Sequence, residues 1–288
     1  MRWIIFCGRM PLRTCMQTLL RVLFVLGFGG IFTIMQKNEV KWDYLVYTQI
    51  WPQSACIEIN ETIGDGKCVM PNNVKSWTIH GIWPDVHIGK NPSYCNDSWP
   101  FVPNDIKDIQ PDLEIHWPNL ILGDKVSAFW KHEWVKHGTC ATSLPSLDSE
   151  HKYFQAGLNL RQKFDLSKML SAAGIVPSLN TSIKLDRLRN VIKANTNSHT
   201  RLLCMETKTK TEQIIAQIEI CLDKSFSPID CDQSKYNLET PSTFQENPRF
   251  MRLKRSNTVW DPYPYFPNFM DCKDELPIKY LPIVPSLA

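Results

Sequence analysis

Eight cysteines, Cys56, Cys68, Cys95, Cys140, Cys204, Cys221, Cys231 and Cys272, are spread over the body of this 288-residue chain, with two more, Cys7 and Cys15, near its start. None of the eight forms a CxxC pair, which speaks against a zinc knuckle or a dithiol redox motif. An even set scattered over a long chain predicts disulfides instead, and disulfides require an oxidising compartment. The N-terminus supplies a route to one. Residues 22–35, VLFVLGFGGIFTIM, are an uncharged apolar run of 14 behind an arginine-bearing segment. That is shorter than a membrane span of about 20 residues and suits the apolar region of a secretory signal. Residues 1–36 are therefore read as a signal peptide, or as a signal anchor if uncleaved, the one circumstance in which a membrane would be involved. Three N-x-S/T sequons, at Asn60, Asn96 and Asn180, agree with export and are expected to be glycosylated.

Charge narrows the choice of partners. The formal +3 includes Arg2, Arg9, Arg13 and Arg21, all within the leader, and the remainder carries 28 basic against 29 acidic residues. A near-neutral body lacks the footprint of a protein that holds nucleic acid by charge alone. Any nucleic acid it meets is expected to be substrate. With 43% apolar and 11% aromatic residues, the chain has ample material for a core.

Residues 44–51, YLVYTQIW, are rich in aromatic and β-branched side chains and stop at Pro52, which predicts a strand. Lys75–Gly81 is its expected partner, with Trp77 and Ile79 facing the core and His80 facing away from it. Cys56 and Cys68 flank the turn-forming IGDGKC closely enough to staple it. Residues 85–120 read as loop, dense in Pro, Asn and Asp. A helix is expected from Asp124 or Ser127 to His137, closed by Gly138. Residues 153–173 predict two helical segments broken near Gly157 or Asp165 and ended by Gly174, and residues 181–194 predict another helix. Ile214–Leu222 is the clearest late strand. Residues 232–268 are polar and proline-rich and read as a long surface excursion tethered at Cys231 and Cys272, with LKRS and WDPYPYFP inside it. Strands separated by helix-sized blocks give an α+β class, a mixed or antiparallel sheet flanked by several helices, in one disulfide-stapled domain over 37–288.

The chemistry concentrates in FWKHEWVKHGTC, residues 129–140. On an α-helical wheel with His132 at zero, Lys136 falls at about 40°, Phe129 at about 60°, Glu133 at about 100° and His137 at about 140°. Trp130 and Trp134 form the back. The metalloprotease pattern HExxH is absent, and histidines five apart on an α-helix diverge by about 140°, too far to face one metal ion readily. No GxSxG elbow occurs, and the cysteines are committed elsewhere, so the chain offers no evident nucleophile. Two histidines and a lysine suit a substrate that brings its own. RNA does so through its 2′-OH: one histidine removes that proton, another protonates the departing 5′-oxygen, and lysine offsets the charge developing on phosphorus. Neither metal nor cofactor is called for.

WTIHGIWPD (77–85) and FWKHEWVKHGTC (129–140) closely resemble the two active-site segments of the ribonuclease T2 family, secreted or lysosomal acid endoribonucleases. The resemblance extends through QIWPQSAC, YFQAGLNL, GIVPS and ICLDKSFSPIDC, covering roughly residues 42–231 plus Cys272, and it weakens over about 232–271. It implies His137 as base and His80 as acid, a pair whose assignments could be exchanged. It also implies His132 as a phosphate ligand, Glu133 and Lys136 as transition-state stabilisers, and Trp83 and Asp85 as the site of one base. Phe129, with Gln49 a weaker match, belongs to a second nucleotide site, where an aromatic face would stack a base. The implied disulfides are Cys56–Cys68, Cys95–Cys140, Cys204–Cys272 and Cys221–Cys231. His87, His116, His151 and His199 lack such company and are read as structural or surface residues. The implied activity is cleavage of single-stranded RNA through a 2′,3′-cyclic phosphate by a secreted or lysosomal monomer, with no stable DNA or protein partner. The alternative is a secreted binding or signalling glycoprotein that uses the fold without catalysis.

Overall fold

The computed structural model describes residues 40–231, 266 and 268–285. The expected leader and most of the 232–271 excursion lie outside these residues. Among the described residues no helix is long and apolar enough to cross a membrane.

The organising strand is β1, Tyr44–Ile50, all seven residues of which are buried. It pairs antiparallel with β2, Thr78–Asp85, on one side and with β5, Gln213–Leu222, on the other. Covered on both edges and both faces, it carries the near-continuous apolar run seen in its sequence. β4, Arg201–Glu206, pairs antiparallel with β5, and the two-residue β6, Met270–Asp271, with β4. The order is β2-β1-β5-β4-β6. A small corner adds β3, Ser182–Ile183, against β7, Ile278–Lys279, and β7 runs parallel to β5, so the sheet is mixed. The α+β expectation holds.

Helices gather on the sheet's main core face, around Trp77, Trp117, Trp130, Tyr153 and Phe154, all buried. α1, Pro52–Ile63, starts with Pro at its first position, where the missing N–H costs no intrahelical bond. The sequence reading took this stretch only as a turn-bearing excursion, because its polar composition masks a helix held by burial of Ala55, Cys56 and Ile59. Residues 85–120 likewise contain order not expected from their composition: a 3₁₀ turn at Pro103–Ile106 and α2, Gln110–His116, which again has Pro in its first turn. α5, Glu150–Lys163, and α6, Leu166–Ala172, are separate helices capped by Ser149 and Asp165, whose side chains accept from the backbone N–H of Lys152 and Lys168. The break falls at Asp165. Gly157 continues the helix and is needed for packing, because a Cβ there would lie 2.4 Å from the Trp117 ring. α7, Leu185–Thr196, ends on Asn197 in the left-handed region.

The helix expected to close at Gly138 does not. α3, Ala128–Glu133, passes into a π-helical turn, Trp134–Gly138, and then into a further α-turn, α4, Thr139–Ala141. Gly138 is an interior residue whose missing Cβ admits the Trp134 ring, which a Cβ would meet at 2.3 Å. All four implied disulfides are present: Cys56–Cys68, Cys95–Cys140, Cys204–Cys272 and Cys221–Cys231. Cys95–Cys140 ties the loop after β2 to α4, and Cys204–Cys272 ties the returning C-terminal segment to β4.

Candidate active site

His80 leaves the regular alternation of its strand because β2 carries a bulge. Opposite β1, Thr48 pairs with Gly81 and Gln49 with Ile79, which leaves His80 as the extra residue. Past the bulge the alternation restarts out of phase. Ile79 and Ile82 are both fully buried, while His80 and Trp83 are both only half-buried, a spacing of three that a regular strand forbids. Gly81 at the bulge has a second role. A Cβ on it would lie 2.1 Å from Trp83 Nε1 and 2.3 Å from Glu133 Oε2, the two atoms that hydrogen-bond across it at 2.9 Å.

Three contacts hold the His80 ring and backbone. Its Nδ1 is 2.7 Å from Gln217 Oε1 on β5, its carbonyl accepts from Trp117 Nε1 at 2.9 Å, and Trp83 stands edge-on at 4.9 Å. Phe129 and Phe266 approach at 5.8 and 5.3 Å. Desolvation lowers the His80 pKa to about 4; the Gln217 hydrogen bond opposes this, and the charges of His132 and Lys136 add to it.

The π-turn sets the other half of the site. It widens the helix so that residues five apart stand nearly one above the other. His132 and His137, about 140° apart on an α-helix, therefore converge to a ring separation of 6.2 Å. With Glu133 they offer ligand atoms all within 4.8 Å of one another, a grouping with the reach to hold a metal ion. The angular argument against a shared ion does not survive this geometry. Glu133 is fully buried, its Oε1 is 3.8 Å from His132 Nε2 and its Oε2 accepts from Trp83. Trp83 also packs on His137 at 5.2 Å, so one indole touches both the strand histidine and the helix histidine. Burial drives the His137 pKa well down, with the charges of Lys136, His132 and His80 acting the same way.

Beside this centre a cleft of about 530 Å³ is lined by Trp83, Asp85, Lys90, Lys136, His137 and Arg201, among others. That is within the range of roughly 300–1,000 Å³ of small-ligand clefts. Asp85 is buried, accepting from Tyr44 Oη at 3.0 Å and from the Val86 amide at 2.6 Å. On the other side of His80, Phe129, Phe266, Pro118 and Leu120 border a much narrower space of about 30 Å³. Phe266 belongs to the excursion read as surface loop, yet it is half-buried at the site. Asn268 anchors it there by donating its backbone N–H and side-chain amide to Glu58.

Gln49 does not join these groups. Its side chain is fully buried and donates to the Phe164 carbonyl at 2.7 Å, and it lines neither space. The structure places Gln49 in the core with the rest of β1, apart from both spaces and from the second nucleotide site expected for it. Gln217 is not legible as a site residue in the sequence, and Phe266 stands there only within the aromatic WDPYPYFP stretch. Neither has a local signal, although the glycine inside IHGIW is the kind of mark that betrays a bulge. Of the sequons, Asn180 is exposed, while Asn60 and Asn96 are half-buried with Oδ1 accepting from Cys68 and Ser98. His151 and His199 sit in exposed pairs with Asp108 and Asp230, and His87 packs on Tyr44.

Fold and cleft define a disulfide-stapled α+β protein with paired histidines from a bulged strand and a π-turned helix. Residues 42–231 match the model of the Ribonuclease T2 family. Ribonuclease Oy of Magallana gigas is 38% identical over 201 residues, 69% of this chain and 92% of the relative. Human ribonuclease T2 is 36% identical over 230 residues, 78% of this chain and 82% of that one. The crystal structure of human RNase T2 superposes with a TM-score of 0.60 at 30% identity, covering 85% of this chain and all of the other. That of RNase NT in complex with 5′-AMP gives 0.61 at 25% identity, covering 84% and 100%. The chain belongs to the ribonuclease T2 family of endoribonucleases.

Proposed function

We propose that the protein cleaves single-stranded RNA by acid–base transphosphorylation, without a metal ion, leaving a 2′,3′-cyclic phosphate on one product and a free 5′-hydroxyl on the other. The observation that carries this reading is the convergence of His80 and His137 on one indole, Trp83, with His132, Glu133 and Lys136 around them. His137, held far below its ordinary pKa, keeps a neutral imidazole and takes the 2′-OH proton. The 2′-oxygen then bonds to phosphorus as the bond to the 5′-oxygen breaks. His80, whose pKa desolvation lowers to about 4 against the opposing Gln217 hydrogen bond, delivers a proton to that leaving oxygen. His132 and Lys136 supply positive charge to the non-bridging oxygens, and Glu133 fixes Trp83 beneath them.

One base occupies the cleft at Trp83 and Asp85, and the narrow space beside Phe129 receives the nucleotide across the scissile bond. A metal ion on His132, Glu133 and His137 would occupy the imidazole lone pair needed for proton abstraction, so the mechanism proposed here is metal-free. Four disulfides support work in a secreted or lysosomal setting. Glycosylation at the three sequons and action as a monomer belong to the same reading. The test is cleavage of an RNA oligonucleotide near pH 5 with and without EDTA, with product ends identified by mass. Cyclic-phosphate ends formed equally in both are expected; loss of activity on chelation, or equal cleavage of DNA, overturns the mechanism.

A further inference from the structure

Behind His80 a line of polar groups crosses the sheet. Gln217 Oε1 faces His80 Nδ1 at 2.7 Å, and Gln217 Nε2 donates to Glu219 Oε1 at 3.0 Å. Glu219 Oε2 lies 3.4 Å from Arg201 Nη1, and Asp271 holds that guanidinium through Nε at 2.6 Å and Nη2 at 3.1 Å. The positions follow from the sheet. Gln217 and Glu219 share one face of β5, Glu219 is registered directly against Arg201 on β4, and Asp271 on β6 is pinned beside Cys272, whose disulfide reaches β4. Gln217 and Glu219 are only 4% and 5% exposed. Glu219 also borders the cleft, but a carboxylate and amide this buried are costly unless their partners are fixed.

Fixed partners have a directional consequence. Burial raises the Glu219 pKa and Arg201 opposes that shift; in its ionised form the carboxylate only accepts, so the group Gln217 turns toward it is its NH₂. Its carbonyl oxygen is then the end presented to His80. An oxygen cannot donate, so His80 Nδ1 must carry the hydrogen, and Nε2 is left as the nitrogen that exchanges a proton with substrate.

We propose that Gln217 and Glu219 are positioning residues for His80, Glu219 fixing the orientation of the Gln217 amide and Gln217 thereby fixing the His80 tautomer that leaves Nε2 free for proton transfer. The kinetic part of the proposal rests on the ribonuclease reading above. The tautomer does not, and it is observable in a protein that cleaves nothing.

The experiment uses the full chain labelled with ¹⁵N-histidine, with His80 assigned by comparison with His80→Asn. Long-range ¹H–¹⁵N spectra of neutral His80 are expected to show hydrogen on Nδ1. In Glu219→Gln the new amide accommodates either orientation of Gln217, and His80 is expected to gain the Nε2–H form. The exchanged double variant Gln217→Glu/Glu219→Gln restores an acceptor facing His80 and is expected to recover Nδ1–H. In kinetics, Gln217→Leu is expected to lower kcat by roughly 10–100-fold with KM changed by less than about twofold, the loss seen when the partner orienting a functional histidine is removed. In Glu219→Gln the alkaline limb of kcat/KM is expected to move down by on the order of one pH unit, and in the double variant to return. Near-isosteric exchanges keep the test open should Gln217→Leu fail to fold. A His80 tautomer and pH profile unchanged in Glu219→Gln would overturn the proposal.

Discussion

His80 Nδ1 and Gln217 Oε1 meet at 2.7 Å although β1 runs between the strands that carry them. The contact exists because His80 is the unpaired residue of the β2 bulge. A bulge bends its strand and re-aims the side chain. It also explains why an imidazole so close to the core remains usable, since one nitrogen is satisfied inside the protein and the other is left for the substrate.

The first prediction concerns pH. In the mechanism proposed above, cleavage requires His80 protonated and His137 neutral. Burial lowers both pKa values, His80 to about 4, so His137 stays neutral into acid while His80 loses its proton as pH rises through that region. kcat/KM for a dinucleotide is expected to fall on the alkaline side from a low pH. A bound phosphodiester offsets the positive charges that depress His80, so the alkaline limb of kcat should lie at higher pH than that of kcat/KM. Coincident limbs would contradict this account of the shift.

Gly81→Ala should be among the most damaging small substitutions. The added methyl would collide with Trp83 Nε1 and Glu133 Oε2, and neither can retreat without giving up their hydrogen bond or exposing a buried carboxylate to apolar surroundings. A stability loss of about 1–3 kcal/mol in urea unfolding and a fall in kcat of at least tenfold are expected. Wild-type behaviour in both would show that the indole and carboxylate are not locked over this position.

Phe266→Ala addresses the narrow space beside Phe129. Its volume of about 30 Å³ is set partly by the Phe266 ring, which stands edge-on to His80. Removing that ring should relax discrimination against large bases downstream of the cleaved bond. The ratio of kcat/KM for a purine over a pyrimidine at that position is expected to rise several-fold, and an unchanged ratio counts against Phe266 shaping the subsite.

Glu150 provides a prediction away from the site. Desolvation raises its pKa to about 7, opposed by the Val102 amide that donates to its carboxylate. A carboxyl raised on folding stabilises the fold fully below its unfolded pKa, and the advantage is lost as pH climbs through 7. Glu150→Gln should therefore raise Tm at pH 8 by about 2–4 °C and change it little at pH 4. Thermal scans at the two pH values decide it, and an equal shift at both would point to packing alone.

Much of the molecule was legible in one dimension. YLVYTQI declared β1 through its composition, IIAQIEICL declared β5, and the two histidine segments carried the family resemblance together with the four cysteine pairs. These signals are local, because strand propensity and motif spacing depend on neighbours in sequence. The helix at Pro52–Ile63 and the order within 85–120 were not legible, since their stability comes from what they pack against and not from propensity. Phe266 gave no sign either, because its importance depends on a chain return through Cys272 and Asn268.

Residue identity alone thus pointed to the groups proposed for the chemistry: His80, His132, Glu133, Lys136 and His137. Tertiary structure decided how they meet. An inserted residue in β2 turned His80 across the sheet to Gln217, and a π-turn after Glu133 folded His137 back over His132. Each departure shifts the side-chain period by one residue, a change that periodicity read on an ideal strand or α-helix cannot register. What holds the departures in place is distant packing: the Trp83–Glu133 contact over Gly81, and the Trp134 ring against Gly138.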